Sequence, residues 1–325
     1  LIGTPGRVAD RLRRDHFSLE NIKTIVLDEY DKSLEIGFEK EMSEIINTLP
    51  NIQQRVLTSA TSYARIPDFV GLKKPVFINH IQESSSKLVV KTIISQDKDK
   101  LKSLEKSLAY IGNKPGIIFC NFKEALERIS GFLTNNGISH LCFHGGMEQI
   151  DRERALIKFR NGTNQLLLAT DLASRGIDIP EIKFILHYHL PLHDKEFTHR
   201  NGRTARMNQD GIAYILNWKE DELPDFIKEI KPEIIDIDNK NISKSASSNG
   251  WNTLYISGGR RDKISKGDIV GLFIKQGAIE KQQLGVIEIK QNCAYASVDA
   301  SVTEKIIEKT NNCKLKKKKV RISRI

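Results

Sequence analysis

Asp28, Glu29 and Asp31 place three carboxylates within four residues, directly after the apolar run Ile25-Val26-Leu27. A short apolar run without polar alternation predicts a strand buried on both faces, as in a parallel sheet. Asp28 and Glu29 then emerge at its carboxyl end, where open α/β sheets bind ligands. An acid in that place can hold Mg²⁺ against a phosphate chain, and a second can orient a water. Acids also end strands because solvent begins there, so this segment alone leaves both readings open.

A second cluster is cationic. His199-Arg200-Asn201-Gly202-Arg203-Thr204-Ala205-Arg206 packs three arginines and a histidine into two helical turns. Such charges repel one another unless an anion sits among them, which favours an anion site over a charged surface turn. Four other stretches carry polar groups at element ends. Thr4-Pro5-Gly6-Arg7 reads as an N-cap, a proline at the first helical position and a nearby cation. That suits a phosphate site or an ordinary strand-to-helix turn. Thr58-Ser59-Ala60-Thr61 follows a short strand, where hydroxyls can bond neighbouring carboxylates or serve as caps. Gln149 and Arg152 open a helix after His144-Gly145-Gly146, and Ala169-Thr170-Asp171 through Gly176-Ile177-Asp178 follows a strand end.

The elements that must position these groups alternate. Leu1–Thr4 reads as the end of a strand, so the chain reads as a fragment lacking its N-terminal part. Val8–Leu12 and Phe38–Leu49 have helical period; Ile22–Leu27, Arg55–Leu57 and Val76–Ile78 read as strands. After Ser84-Ser85-Ser86 the pattern restarts. Strands at Gly116–Cys120, His140–Phe143, Gln165–Ala169, Phe184–His187 and Gly211–Leu216 alternate with helices at Leu101–Ile111, Glu124–Asn135 and Asp151–Phe159. Strands alternating with helices predict a doubly wound parallel sheet. The expected division is 1–82, 83–235, a polar linker at 236–249, and 250–325.

Composition supports a globular α/β protein, with 39% hydrophobic and 28% charged residues among 325. No apolar run approaches membrane-spanning length, and no signal-peptide pattern opens the chain. The four cysteines lack metal-ligand spacing, and Cys120 and Cys142 sit in apolar runs. Buried thiols in a reducing cytoplasm are expected, and zinc is not. Residues 251–325 hold 16 Lys and Arg against 7 Asp and Glu, nine of the chain's ten excess positive charges. A basic end on a neutral body suggests a polyanion-binding module.

That end reads β-α-β-β-α-β: Thr253–Ser257, Lys266–Gln276, Leu284–Ile289, Cys293–Val298, Val302–Thr310 and Val320–Ile322. The order is that of RNA-recognition-motif modules, whose sheets stack bases on exposed aromatics. Tyr255 and Tyr295 are the candidates, although the aromatic-rich third-strand consensus is absent and each could be a ring half-covering a small sheet. Lys316, Lys317, Lys318 and Lys319 read as a phosphate-contact surface beside such a fold, or as a solvated face.

Taken in order, the motifs Thr4–Arg7, Asp28–Asp31, Ser59–Thr61, Gln149 with Arg152, Ala169–Asp178 and His199–Arg206 resemble those of DEAD-box RNA helicases. Any one is weak; the ordered set is specific. Ser257-Gly258-Gly259, Asp262-Lys263 and Lys266-Gly267-Asp268-Ile269-Val270-Gly271 resemble the RNA-binding domain of DbpA-type members. The resemblance implies two RecA-like parallel-sheet domains, the first incomplete, plus an RRM-like α+β domain. It implies ATP and Mg²⁺ as cofactors and structured RNA, ribosomal RNA among it, as partner, with no membrane. By the same resemblance Asp28 holds Mg²⁺ through water, Glu29 activates the attacking water, and Arg203 and Arg206 are arginine fingers. Gly176, Asp178 and His199 lie at the nucleotide, His199 also coupling it to closure together with Asp31, Ser59 and Thr61. Thr4, Arg7, Gln149, Arg152 and Thr170 contact RNA. Tyr30 stands where the family has Ala, and Asn201 and Ala205 where it has Ile and Gly. No Gly-x₄-Gly-Lys-Ser/Thr phosphate loop occurs in these 325 residues, so the chain alone is expected to be inactive. The competing expectations are a non-catalytic RNA-binding protein or pseudo-helicase and, third, a DNA helicase.

Overall fold

The computed structural model describes residues 1–15, 18–35, 37–59, 66–79, 88–171, 182–204, 210–237 and 250–325. The chain divides into two compact units, Leu1–Ser84 and Ser85–Ile325.

The first unit runs α1 (Pro5–Arg14), β1 (Thr24–Leu27), α2 (Tyr30–Glu35), α3 (Glu39–Thr48) and β2 (Gln54–Leu57). Thr4 is the extended N-cap of α1 and Pro5 its first residue, as the sequence predicts. β1 and β2 pair in parallel, Thr24 opposite Gln54 through Leu27 opposite Leu57. Ala9 of α1 and Ile45 and Ile46 of α3 close with Ile25 and Val70 into a core. The expected burial of β1 on both faces is corrected. Val26 is 57% exposed and its partner Val56 37%, because the described helices cover only the Ile25 face. Leu1–Thr4 and Val76–Ile78 form no strand: neither joins a ladder among the described residues, and Leu1, Ile2, Val76, Phe77 and Ile78 are exposed.

The second unit is built on a seven-stranded parallel sheet in the order β5-β6-β4-β7-β8-β3-β9. Its strands are β3 (Leu88–Ser95), β4 (Gly116–Cys120), β5 (Leu141–Phe143), β6 (Leu166–Thr170), β7 (Phe184–His187), β8 (Gly211–Trp218) and β9 (Glu233–Ile235). Between them lie α4 (Leu101–Ile111), α5 (Lys123–Asn135), α6 (Gln149–Arg160) and α7 (Asp194–Asn201). β4, β6 and β7 are buried at every residue because helices cover both faces. Alternation sorts the two cores: Ile118 and Cys120 meet Leu104, Leu108, Leu126 and Leu133, while Ile117 and Phe119 meet Ala155 and Phe159 of α6. β3 and β9 were not expected from sequence. Lys91 and Thr92 interrupt the apolar run of β3, and Lys91 pairs with Glu233 of β9 at 3.0 Å.

The same unit ends in an antiparallel sheet ordered β11-β12-β10-β15. Its elements are β10 (Trp251–Ile256), α8 (Lys266–Gly271, continued by a π-helical turn over Leu272–Gln276), β11 (Leu284–Ile289), β12 (Ala294–Asp299), α9 (Thr303–Thr310), the hairpin β13 (Lys314–Leu315) and β14 (Lys318–Lys319), and β15 (Ile322–Arg324). The β-α-β-β-α-β order holds, with the hairpin added. Leu254, Ile256, Ala296 and Val298 face the helices.

The opposite face of this sheet meets the end of α6. Asn161 Nδ2 donates to Thr253 Oγ1 at 3.3 Å, Thr163 and Thr253 hydroxyls meet at 2.7 Å, and Ser297 Oγ donates to the Asn161 carbonyl at 2.9 Å. Arg160 donates twice to Glu288 on β11, from Nε to Oε1 at 2.8 Å and from its terminal nitrogen to Oε2 at 2.9 Å. Thr253 and Ser297 are buried as a result.

Candidate functional site

In the first unit, the parallel pairing of β1 with β2 brings Thr58 against Asp28. Thr58 Oγ1 donates to Asp28 Oδ1 and accepts the Glu29 N–H at 3.1 Å, while the Tyr30 N–H donates to the Thr58 carbonyl at 3.2 Å. One hydroxyl therefore holds the first acid and the backbone of the second. Glu29 sits at φ 47°, in the left-handed region that side chains seldom adopt, and this turn starts α2. Asp28 and Glu29 are exposed, whereas Asp31 and Tyr30 are each 6% exposed. The Tyr30 ring is thus buried rather than left beside the solvent-facing acids. Burial, then the Asp31 charge, raises its phenol pKa. Thr4 and Arg7 are exposed at the start of α1, and Ser59 is half-buried after β2.

In the second unit, the carboxyl ends of β4, β6 and β7 converge on α7. Arg200 donates from Nε and a terminal nitrogen to both oxygens of Asp171 at 2.6 Å. It also donates to the His189 carbonyl at 2.6 Å and to Asn121 Oδ1 at 2.7 Å, and its guanidinium lies 5.0 Å from the Phe119 ring centre. The anion expected in the basic stretch is, for Arg200, the carboxylate of Asp171. His187 bridges the next residue: its Nε2–H donates to Asn201 Oδ1 at 3.1 Å, and Nδ1 accepts from Arg200 at 3.4 Å. Burial, reinforced by Arg200, pushes the His187 imidazole down to about 3. Asn201, 4% exposed, therefore has a built partner and leaves α7 in register.

His199 and Arg203 ride on that anchored helix and its C-terminal turn, both half-buried. His199 Nε2 is buried with no hydrogen-bond partner among the described residues. Thr170 is buried at the end of β6; Arg152 stacks its guanidinium 5.0 Å from the Phe143 ring centre, and Gln149 is exposed one turn earlier. Thr61, Gly176, Asp178 and Arg206 lie outside the described residues. Sequence reasoning did not single out Thr58 from its hydroxyl stretch or Arg200 from its basic stretch, although both stretches carry the signal. Nothing local marks His187.

In the last domain the open stacking face is corrected. Tyr295 is 4% exposed, meets Tyr255 edge-on at 5.7 Å, and lies on the face covered by α6. Burial pushes its phenol up to about 12. The cationic surface lies elsewhere. A cleft of about 470 Å³ is lined by Arg260, Lys266, Ile287, Glu288, Ile289, Lys290 and Gln291. Gly259 shapes its rim: a Cβ there would meet Lys290 O at 2.5 Å and Cys293 N at 2.6 Å, and this closeness lets Arg260 N–H donate to Lys290 O at 3.0 Å. Lys316 pairs with Asp268 at 2.9 Å and Lys318 with Asp262 at 2.8 Å. Ser265 and then Lys316 hold Asp268 down to about 2. Lys317 and Lys319 are exposed.

Three family models match these parts in the same order: DEAD/DEAH box helicase over residues 1–68, helicase conserved C-terminal domain over 99–208, and DbpA RNA binding domain over 253–324. The chain belongs to the DEAD-box helicase family. Among curated DEAD-box relatives, the ATP-dependent RNA helicase DbpA of Bacillus subtilis is 29% identical over 357 residues, covering 100% of this chain and 74% of the relative. DbpA of Escherichia coli is 28% identical, covering 99% and 72%. The fold is shared with S. cerevisiae Dbp5 bound to RNA and ADP BeF3, at a TM-score of 0.58 and 24% identity. That match covers 73% of this chain and 65% of Dbp5.

Proposed function

We propose that this DEAD-box chain forms part of an ATP-dependent RNA helicase that couples ATP hydrolysis to local unwinding of structured RNA, with ribosomal RNA as target. The observation that carries the proposal is the pairing, in one chain, of Asp28 and Glu29 held at a parallel strand end by Thr58 with a DbpA-type RNA-binding domain.

The donor set fits Mg²⁺. Asp28 is an exposed hard-oxygen ligand with one oxygen committed to Thr58, and no cluster of three His, Cys, Asp or Glu forms a closed metal cage among the described residues. Mg²⁺ keeps most of its waters and takes one or two carboxylates beside phosphates. Asp28 would hold it, and the ion would neutralise charge on the phosphate chain. Glu29 orients and deprotonates a water. Arg203 and Arg206 stabilise charge on the equatorial oxygens, and Gly176, Asp178 and His199 hold the nucleotide. Asp31, Ser59 and Thr61 couple that site to closure. Thr4, Arg7, Gln149, Arg152 and Thr170 contact RNA phosphates, with Lys317 and Lys319 adding contacts in the last domain.

The 325 residues contain no Gly-x₄-Gly-Lys-Ser/Thr, so the chain by itself is expected to bind RNA without hydrolysing ATP. An ATPase assay with RNA tests this. Turnover by the 325-residue chain that disappears on Glu29→Gln would overturn the requirement for that loop. Failure to bind RNA would sink the helicase proposal itself. Its four free cysteines suit a reducing compartment, and we place the protein in the cytoplasm. No described helix is long and apolar enough to cross a membrane.

A further inference from the structure

The cleft of the last domain is lined by three cations, Arg260, Lys266 and Lys290, and by one carboxylate, Glu288. Glu288 is also where that domain is fastened to α6, through the paired hydrogen bonds from Arg160. The two side chains are only 23% and 20% exposed, so the ion pair is largely withdrawn from water. Lys290 Nζ stands 4.0 Å from Glu288 Oε2, at the edge of the same pair. One acid thus belongs to the domain seam and to the cleft.

This arrangement has an electrostatic consequence. A carboxylate on the wall of a phosphate-binding cleft repels the ligand and competes for its lysine. Bidentate pairing with a guanidinium cancels the charge and ties up both oxygens. We propose that the Arg160–Glu288 pair makes the cleft competent for RNA phosphate, so that docking of the RNA-binding domain on the second RecA-like domain and RNA binding support one another. Arg160 lies outside the cleft and acts through Glu288; it is a positioning residue. By linkage, RNA in the cleft favours the docked state by the same factor that docking favours RNA. The hydroxyl and amide contacts among Asn161, Thr163, Thr253 and Ser297 set the geometry in which Arg160 reaches its partner. The inference rests on the RNA-binding role proposed above. It extends that role by making RNA capture depend on a contact between the last domain and the helicase core.

The test is a double-mutant cycle on the full 325-residue chain, titrating a fluorescein-labelled RNA hairpin with a single-stranded extension at fixed ionic strength. Arg160→Ala is expected to weaken binding at least about fivefold, the lower end of typical coupling. Adding Glu288→Gln to it is expected to return affinity to that of the unsubstituted chain, since the exposed charge is gone even though the seam stays broken. A simple structural role for Arg160 predicts the opposite, with the double variant as weak as the single. Unchanged affinity in Arg160→Ala, or no recovery in the double variant, would overturn the inference while leaving RNA binding intact. No binding by the unsubstituted chain would overturn the RNA proposal and this inference together. Should Arg160→Ala fold poorly, Arg160→Gln with and without Glu288→Gln carries the same comparison.

Discussion

Arg200 and Asp171 face each other across the carboxyl edge of the parallel sheet through two hydrogen bonds of 2.6 Å, with the Arg200 side chain 1% exposed. The pair ties α7, which carries His199 and leads into Arg203, to the end of β6, which carries Thr170. Residues far apart in the chain thereby share one rigid edge, and the first prediction concerns that tie.

Arg200→Ala removes the guanidinium that donates to Asp171, the His189 carbonyl and Asn121 in a largely buried setting. Removing one member of such a pair costs about 3–5 kcal/mol. Arg200→Lys should recover little, because an ammonium cannot reproduce the planar fork that serves Asp171, the His189 carbonyl and Asn121 together. Urea unfolding of the second unit, followed by the fluorescence of Trp218 and Trp251, measures both.

His187 makes that unit acid-sensitive. Its folded pKa of about 3 lies below the ordinary value of 6.5, so the unfolded chain binds a proton more readily. Stability is therefore fully present above about pH 6.5 and falls as pH drops towards 3, by up to about 1.4 kcal/mol per pH unit from this imidazole. His189, held down to about 4 by burial and then by Lys100 and Arg200, loses stability in the same direction. His187→Gln should flatten the stability-against-pH curve between pH 6 and 4, and an unaltered slope would show that another group governs acid unfolding.

Gly259 and Gly267 make a contrasting pair in the last domain. A Cβ at Gly259 meets backbone atoms at 2.5 to 2.7 Å, whereas at Gly267 the nearest atom is Ser265 Oγ at 3.8 Å. Gly259→Ala is expected to cost about 1–3 kcal/mol and to displace the Arg260 side of the cleft. Gly267→Ala, inside a helix, is expected to be neutral or stabilising by up to about 1 kcal/mol. Thermal melting of the two variants separates these outcomes.

The four consecutive lysines at 316–319 should not be equivalent. Lys317 and Lys319 are exposed, while Lys316 and Lys318 are paired with Asp268 and Asp262. Lys317→Ala with Lys319→Ala is expected to reduce the dependence of log affinity on log salt by about 0.7 to 0.9 for each phosphate no longer neutralised. Lys318→Ala also removes the cation paired with Asp262, leaving that acid's charge uncompensated by an ammonium, so its loss of affinity should exceed that of either exposed lysine. Titrations at three salt concentrations read both effects.

The parallel sheet of the second unit was legible because burial on both faces leaves an unmistakable trace: Gly116–Cys120 and Phe184–His187 contain hardly a polar atom. β3 escaped because Lys91 and Thr92 break its apolar run, and Lys91 is there to meet Glu233 on the sheet's edge strand. The strands expected at Leu1–Thr4 and Val76–Ile78 failed for the converse reason. A branched apolar run shows a taste for extended backbone, but only a neighbouring strand supplies the hydrogen bonds that make it a ladder.

Residue type and order alone determined that the carboxylates at 28–31, the hydroxyls at 58–61 and the cations at 199–206 form an ordered set, and that a basic β-α-β-β-α-β domain follows. Those are local properties, set by spacing and by what each side chain can bind. Only the tertiary structure decided that Thr58 grips Asp28, that Asp171 neutralises Arg200, and that the sheet face carrying Tyr255 and Tyr295 is covered by α6. Each of those contacts joins residues at least 29 positions apart. A periodicity can say which face of a strand is polar, but the partner of that face is chosen by packing between elements. So Glu288, unremarkable in the sequence, becomes the acid shared by a domain seam and a cationic cleft.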